Sequence, residues 1–329
     1  MIPKLISNAL RGAFFLTLGM IAGVANADEK SSKSQSEGGA FNGRRVLILG
    51  LDGLRRDSLE LALKNGDVPN MAKIAANGTR YWGMEAGGDL KGPTKQPTVS
   101  GPGWSTIVTG VFANKHGVTD NSFKNAHYDK YPHFFKYARE ANPKTYLVSV
   151  CTWHPVNTKI LLGTGDNLAD ICHCSRPAQK GEDPDIDTRD KTVEALTKQN
   201  PDAVFVHFNN PDTTGHAYGY GPHIPEYMEC LKTLDKHIGD MLTAVEKRPN
   251  YAKESWLIVL TTDHGGKGKG HGGQSPEERD IVTIFSGEGF AKGKKDKTVI
   301  LQDVVTPSVL KHLGIAIKPE WDLDSAPLN

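Results

Sequence analysis

Carboxylates and imidazoles in this chain fall at spacings that suit a divalent metal. Asp212 and His216 lie close together in PDTTGH, and Asp263 and His264 are adjacent, with His271 shortly after them. Each cluster follows an apolar run that reads as a buried strand, DAVFVHFNN before the first and SWLIVLTT before the second. A third run, RRVLILGLDG, delivers Asp52. In open α/β sheets, ligands bind at the carboxyl ends of the strands. Three strand ends that all supply metal-ligating side chains therefore point to one shared metal site and to a metalloenzyme.

The second chemical cue is PTVSGPGWSTIVTG. Ser100 precedes Gly101, Pro102 and Gly103, and a helical run follows. Proline suits a first helical turn, and glycine lets backbone approach an anion. A helix N-terminus offers unpaired N–H groups and a favourable dipole to phosphate. A serine there, beside a divalent cation, ionises and attacks phosphorus. In isolation the segment reads as an N-cap serine. The two metal-ligand clusters elsewhere shift the reading to a nucleophile.

The elements that must position these groups alternate. Strands are expected over Arg45–Leu51, Thr145–Val150, Ala203–Phe208, Trp256–Thr261 and Ile281–Phe285. Helices are expected over Val68–Asn77, Trp104–Gly110, Phe134–Ala141, Thr188–Lys198, Pro225–Glu246 and Val304–Leu313. Near-continuous apolar strands separated by helices predict an α/β fold, with a mostly parallel central sheet and helices on both faces. The polar, Gly- and Pro-containing segment Asn157–Asp187 reads as a long loop, a lid or substrate rim.

The chain has 329 residues, 38% of them hydrophobic, and a formal net charge of +1. That supports one large α/β core. It gives no basic footprint for nucleic acid and no polybasic membrane patch. Lys4 and Arg11, the apolar run Ala13–Val24 and the small residues Ala25-Asn26-Ala27 follow secretory logic. Residues 1–27 are thus expected to be a signal peptide, 28–43 a disordered linker and 44–329 the catalytic domain. The expected location is periplasmic or secreted, with no membrane span after cleavage. Export implies an oxidising compartment for Cys151, Cys172, Cys174 and Cys230. At least one disulfide is expected, tying the Cys172/Cys174 loop to the core, although spacing does not choose among the three pairings.

In chain order, LGLDG, the Ser100 segment through VTGVFANKHGVTDN, PDTTGHAYG and TTDHGG…GHGG resemble the alkaline phosphatase superfamily. They look most like its type I phosphodiesterase/nucleotide pyrophosphatase branch and the related phosphonoacetate hydrolases. The resemblance covers roughly residues 44–316. It implies an alkaline phosphatase-like fold with small cap or lid loops, and two divalent metal ions, zinc favoured. Asp212, His216 and His271 would hold one metal. Asp52, Asp263 and His264 would hold the other, with Ser100 as both ligand and nucleophile. Asn121 would donate its amide to a phosphoryl oxygen, where the residue alone reads as a turn former. The implied activity is an exported phosphodiesterase of nucleotide pyrophosphatase type, acting on a small phosphate ester through a phosphoserine. Two departures leave nucleotide specificity open. The branch usually has Thr where this chain has Ser100, and it tends to carry a long insertion ahead of the position of His271.

A phosphomonoesterase or phosphonate hydrolase of the same superfamily is the first alternative. A sulfatase would need an arginine at Trp104 and a second acid where Gly53 follows Asp52. A catalytically inactive metal-binding protein would need lost ligands, and none of the six Asp and His is lost. Trp104, Trp153, His154 and Lys95 are candidate substrate contacts. Arg55 and Arg56 read as solvated helix-start charges, and Tyr218, His116, Asp235 and His237 as packing residues.

Overall fold

The computed structural model describes residues 39–166 and 168–328. The expected signal peptide, and the linker up to residue 38, lie outside the described residues. Residues 39–43, placed in the expected linker, form a turn in which the Ala40 N–H bonds Asp202 and Phe41 is buried.

Among the described residues, nine strands build one sheet: β1 (Arg44–Leu51), β2 (Gly78–Glu85), β3 (Leu147–Cys151), β4 (Ile171–Cys174), β5 (Ala203–Phe208), β6 (Ser255–Thr261), β7 (Asp280–Ser286), β8 (Lys294–Asp296) and β9 (Ile300–Leu301). Their order is β4-β3-β5-β1-β6-β7-β2-β8, with β9 also pairing β2. From β4 to β6 all neighbours are parallel. β7 is antiparallel to β6 and to β2. In β1, Val46 and Ile48 enter one core and Leu47, Leu49 and Leu51 the other. Burial on both faces is why this strand reads as a continuous apolar run. Helices Ser100–Thr109, Phe134–Ala141 and Val305–His312 cover the first face. Helices Arg56–Asn65, Pro69–Ala76, Ile186–Lys198 and Pro225–Glu246 cover the second. The last of these buries Leu231, Leu234, Ile238, Met241 and Val245, an apolar stripe at helical spacing that starts from a proline in the first turn.

The expected mostly parallel sheet with helices on both faces is therefore present. Four strands go beyond the expectation. β2 carries Gly78, Arg80 and Gly83, and its register shifts between Tyr81 and Met84, so no clean alternation marks it. β8 and β9 are too short to show a period. Segment Asn157–Asp187 is not a long structureless loop. A π-helical turn, Val156–Leu161, precedes the edge strand β4, which pairs parallel with β3. β4 is short and largely unburied, and so has no apolar run to announce it.

The four cysteines stand as free thiols, and the expected disulfide is not seen among them. Cys151 and Cys174 nevertheless face each other in register across β3 and β4, with Sγ atoms 3.9 Å apart. Among the described residues no helix is long and apolar enough to cross a membrane.

Candidate active site

β5, β1 and β6 are adjacent and parallel, so their carboxyl ends open at one edge of the sheet. Asp52 leaves β1, Asp263 and His264 leave β6, and the helix Asn210–Tyr218 after β5 carries Asp212 and His216 on one face, four residues apart. His271 comes from the loop after β6. Two groups have ligand atoms within 4.8 Å of one another: Asp52, Asp263 and His264, and Asp212, His264 and His271. His216 Nε2 stands 3.5 Å from Asp212 and 3.1 Å from His271 Nε2. The six predicted Asp and His thus share one edge, with His264 between the two groups.

Each of the three histidines is fixed by a backbone carbonyl. His264 Nδ1 bonds Gly265 O at 2.7 Å, His216 Nδ1 bonds Lys269 O at 2.9 Å, and His271 Nδ1 bonds Thr98 O at 3.0 Å. A carbonyl only accepts, so each Nδ1 carries the proton and each Nε2 presents a lone pair inward. The Nε2 atoms of His216 and His271 therefore aim lone pairs at each other, an arrangement that calls for a cation. Asp263 Oδ2 is buried without a hydrogen-bond partner, with only the His264 Nε2 lone pair 3.3 Å away, and a buried carboxylate oxygen with no donor is costly. Carboxylates mixed with inward-facing imidazoles fit a divalent metal of the zinc type.

Electrostatics at this edge agree. Burial, with the charges of Asp52 and Asp212, pushes Asp263 well above the carboxylate range. Burial and the charge of Asp52 push Asp212 up to about 6. Burial alone would raise Asp52 as well, but hydrogen bonding from His207 and the nearby His264 hold it at about 2. Burial, reinforced by His271, draws His264 down to about 4, so near neutral pH it keeps its lone pair for a ligand.

Ser100 opens the helix Ser100–Thr109, and Val99, not Ser100, is the N-cap. The serine hydroxyl donates to Asp52 Oδ1 at 3.3 Å and lies 3.2 Å from His264 Nε2. Its side chain serves the site and not the helix end. The glycine beside it has a different role from the expected anion cradle. The Gly101 N–H donates to Asn121 Oδ1 at 2.7 Å. A Cβ at Gly101 would lie 2.7 Å from the Asp120 carbonyl and 2.9 Å from Asn121 Oδ1, so only glycine permits this approach. The bond fixes the amide's orientation and leaves Asn121 Nδ2 as the free donor.

The remaining candidates spread out. Trp104 is 0% exposed, and its indole N–H donates to Asp52 Oδ2 at 2.9 Å. It offers no open face to a substrate and instead backs Asp52. His154 is exposed and bonds the Ser175 carbonyl. Lys95 is an exposed loop residue. Arg55 is held by Asp57 and the Gly266 carbonyl, and Arg56 by Asp280 and the Trp82 carbonyl. Trp153 is partly exposed, and its ring packs 6.0 Å from Phe123, two residues beyond Asn121. Sequence reasoning missed Tyr220, whose buried hydroxyl donates to Asp212, and His207, which bonds Asp52 at 3.0 Å. Tyr220 directly follows the PDTTGHAYG motif, a signal that could have found it. His207 sits inside an apolar strand and reads as a core histidine.

Residues 46–269 match the family described as Type I phosphodiesterase / nucleotide pyrophosphatase. The chain is 25% identical over 311 residues to GPI ethanolamine phosphate transferase 1 of Aspergillus oryzae, which covers 87% of this chain and 28% of that protein. It is 25% identical over 236 residues to Bis(5'-adenosyl)-triphosphatase ENPP4 of Bos taurus, covering 67% of this chain and 47% of that protein. It thus spans less than half the length of these curated relatives. A 2-O GAG sulfatase superposes with a TM-score of 0.68 at 14% identity, over 87% of this chain and 73% of the other. The phosphonate monoester hydrolase of Silicibacter pomeroyi superposes with a TM-score of 0.59 at 16% identity, over 87% and 76%. The two structures share the alkaline phosphatase-like fold of this chain.

The raised Asp212 carboxyl gives a testable sign. A carboxyl whose folded pKa exceeds its unfolded value favours the fold at low pH and loses that contribution as pH rises through the folded pKa, here about 6. Buried histidines titrate in the opposite sense, so the comparison must isolate Asp212. In chelator, Asp212→Asn should gain stability relative to the parent chain between pH 4 and pH 8, by roughly 2–3 kcal/mol. With zinc present the sign should reverse, because the variant loses a ligand. Urea unfolding of both proteins checks this, and a pH-independent difference in chelator would contradict it.

Proposed function

We propose, from the premise that the chain belongs to the type I phosphodiesterase / nucleotide pyrophosphatase family, that it is an exported, metal-dependent phosphodiesterase acting through a phosphoserine. The observation that carries the reading is the Ser100 hydroxyl, within 3.3 Å of Asp52 and His264 at the edge where six Asp and His converge. Asp212, His216 and His271 would hold one divalent metal, and Asp52, Asp263 and His264 another, zinc favoured. Metals bound there would supply positive charge to the transferring phosphoryl group and favour the ionised form of Ser100.

The chain's own residues do the rest. Ser100 Oγ attacks phosphorus in line, the alcohol oxygen of the ester leaves, and a phosphoserine remains. Water entering from the leaving-group side then attacks the same phosphorus and returns the serine. Asn121 Nδ2 donates to a phosphoryl oxygen while Gly101 holds the other end of its amide. Trp153, partly exposed and packed against the buried Phe123 two residues beyond Asn121, offers aromatic surface for an apolar or planar ester group.

This reading predicts that a chelator abolishes turnover and zinc restores it. It also predicts that Ser100→Ala loses at least about 10³-fold in kcat while folding normally. Elemental analysis alongside the assay checks the first, and undiminished turnover by metal-free protein would reject it. Near-normal catalysis by Ser100→Ala would move the nucleophile elsewhere.

Ester class follows from charge. A dedicated monoesterase tends to add a cation, often a bidentate arginine, for the second negative charge of its substrate. Arg55 and Arg56 are already committed to carboxylates and carbonyls, and the donor beside Ser100 is the neutral Asn121. On one zinc-loaded preparation, kcat/KM for bis-(p-nitrophenyl) phosphate should exceed that for p-nitrophenyl phosphate by about tenfold, roughly 1.4 kcal/mol. A monoester preference would reject the diester assignment and leave the nucleophile standing.

Export bears on the cysteines. Hydrogen bonding with Cys151 draws the Cys174 thiol down to about 6, and burial pushes Cys151 up. A thiolate facing a thiol in register is poised to form the S–S bond by giving two electrons and the one remaining proton to a disulfide oxidant. Periplasmic expression should therefore yield a Cys151–Cys174 bond by non-reducing peptide mass mapping. Four free thiols in that material would contradict it.

A further inference from the structure

His207 lies in β5, registered against Gly50 of β1 and Cys151 of β3, and is fully buried. Its Nε2 is 3.0 Å from Asp52 Oδ2, and the same oxygen receives the Trp104 indole N–H at 2.9 Å. On its other side, His207 Nδ1 accepts the Trp153 backbone N–H at 3.5 Å. A ring that accepts at Nδ1 carries its proton on Nε2, so two N–H donors converge on one carboxylate oxygen. The other oxygen, Oδ1, faces Ser100 Oγ at 3.3 Å and His264 Nε2 at 3.5 Å. The two donor rings brace each other edge to face, with centroids 4.9 Å apart. Space for the indole comes from β1, because a Cβ at Gly50 would lie 2.6 Å from the Trp104 ring.

We propose that His207, together with Trp104, is a positioning residue for the nucleophile-side metal site. Its N–H pins the rear oxygen of Asp52, so that the front oxygen is delivered to the metal and to Ser100. This rests on the metal-site reading above. A ligating carboxylate held from behind loses its rotational freedom before the metal arrives, and hydrogen-bonded partners of this kind sustain metal affinity. The link through Trp153 also ties the aromatic rim to the same carboxylate.

The test is zinc affinity, read by competition against a chromophoric chelator on the metal-stripped full chain, with kcat and KM on the reloaded enzyme. His207→Leu should bind zinc about 10- to 100-fold more weakly and lose kcat to a similar degree, with little change in KM. His207→Gln, which returns an N–H donor near the same point, should recover most of the affinity. Unchanged zinc affinity in His207→Leu overturns the proposal. So does a Gln variant as impaired as the Leu variant, since the loss would then be one of packing and not of the hydrogen bond. Should His207→Leu not fold, Trp104→Phe decides. It keeps an aromatic ring while removing the second N–H and part of the indole, and it should weaken zinc about tenfold; parental affinity there overturns the proposal. A parent chain that binds no zinc overturns the metal reading itself, a result distinct from either variant outcome.

Discussion

The rest of the structure depends on three carboxylates forced together by a parallel sheet. β5, β1 and β6 are neighbours running the same way, and adjacent strands lie only about 5 Å apart. Acids leaving their carboxyl ends have little room to separate. Two carboxylates about 5 Å apart repel by roughly 3 kcal/mol at an effective dielectric near 20, and Asp52 and Asp263 are both fully buried. The chain does not relieve this with arginine. It surrounds the acids with imidazoles whose Nδ1 protons are committed to the carbonyls of Thr98, Gly265 and Lys269. Every remaining lone pair points inward, so the arrangement is stable in proportion to the positive charge it receives.

That electrostatic demand is not uniform. Asp52, Asp263 and His264 are sealed, whereas the His216 side chain is 47% exposed and Asp212 13%. Ser100 belongs to the sealed side, at 5% exposure. Solvent therefore meets the molecule at His216, while Ser100 faces a drier interior. Such a gradient strengthens interactions around the Ser100 hydroxyl while leaving the other side open to water. It also explains the distribution of supports. The sealed carboxylate is pinned by two buried rings, while the outer one is held by a single tyrosine hydroxyl, Tyr220.

Much of this was legible because ligand residues and strand signals coincide in the chain. Apolar runs ending in Asp52, before PDTTGH and before Asp263 name both the strands and the edge where they meet. Register, and the antiparallel return of β7, were not legible, since period and composition do not encode strand direction. β2 escaped because Gly78, Arg80 and Gly83 interrupt its alternation, and β4 because an edge strand needs no apolar run. The supporting shell was harder still. His207 reads as a core histidine, and Trp104 as a candidate substrate contact. Each acts through Asp52, which lies far from both in sequence. Gly50 likewise means something only once the indole that crosses it is known.

Trp104 also bears on the sulfatase comparison. At 14% identity the superposition speaks for architecture alone. The sulfatase pattern asks for an arginine at this position. Here the position is fully buried, packed on His207 and Phe205, with its one polar atom spent on Asp52. A guanidinium would bring a full charge and five donors into a slot that satisfies one, at a desolvation cost of several kcal/mol. The second acid of that pattern would fall at Gly53, whose N–H instead donates to Asp263. Adding a carboxylate there would deepen the repulsion the site already carries. Two side-chain choices beside Asp52, Trp104 and Gly53, therefore depart from that pattern while the sheet around them keeps the shared architecture.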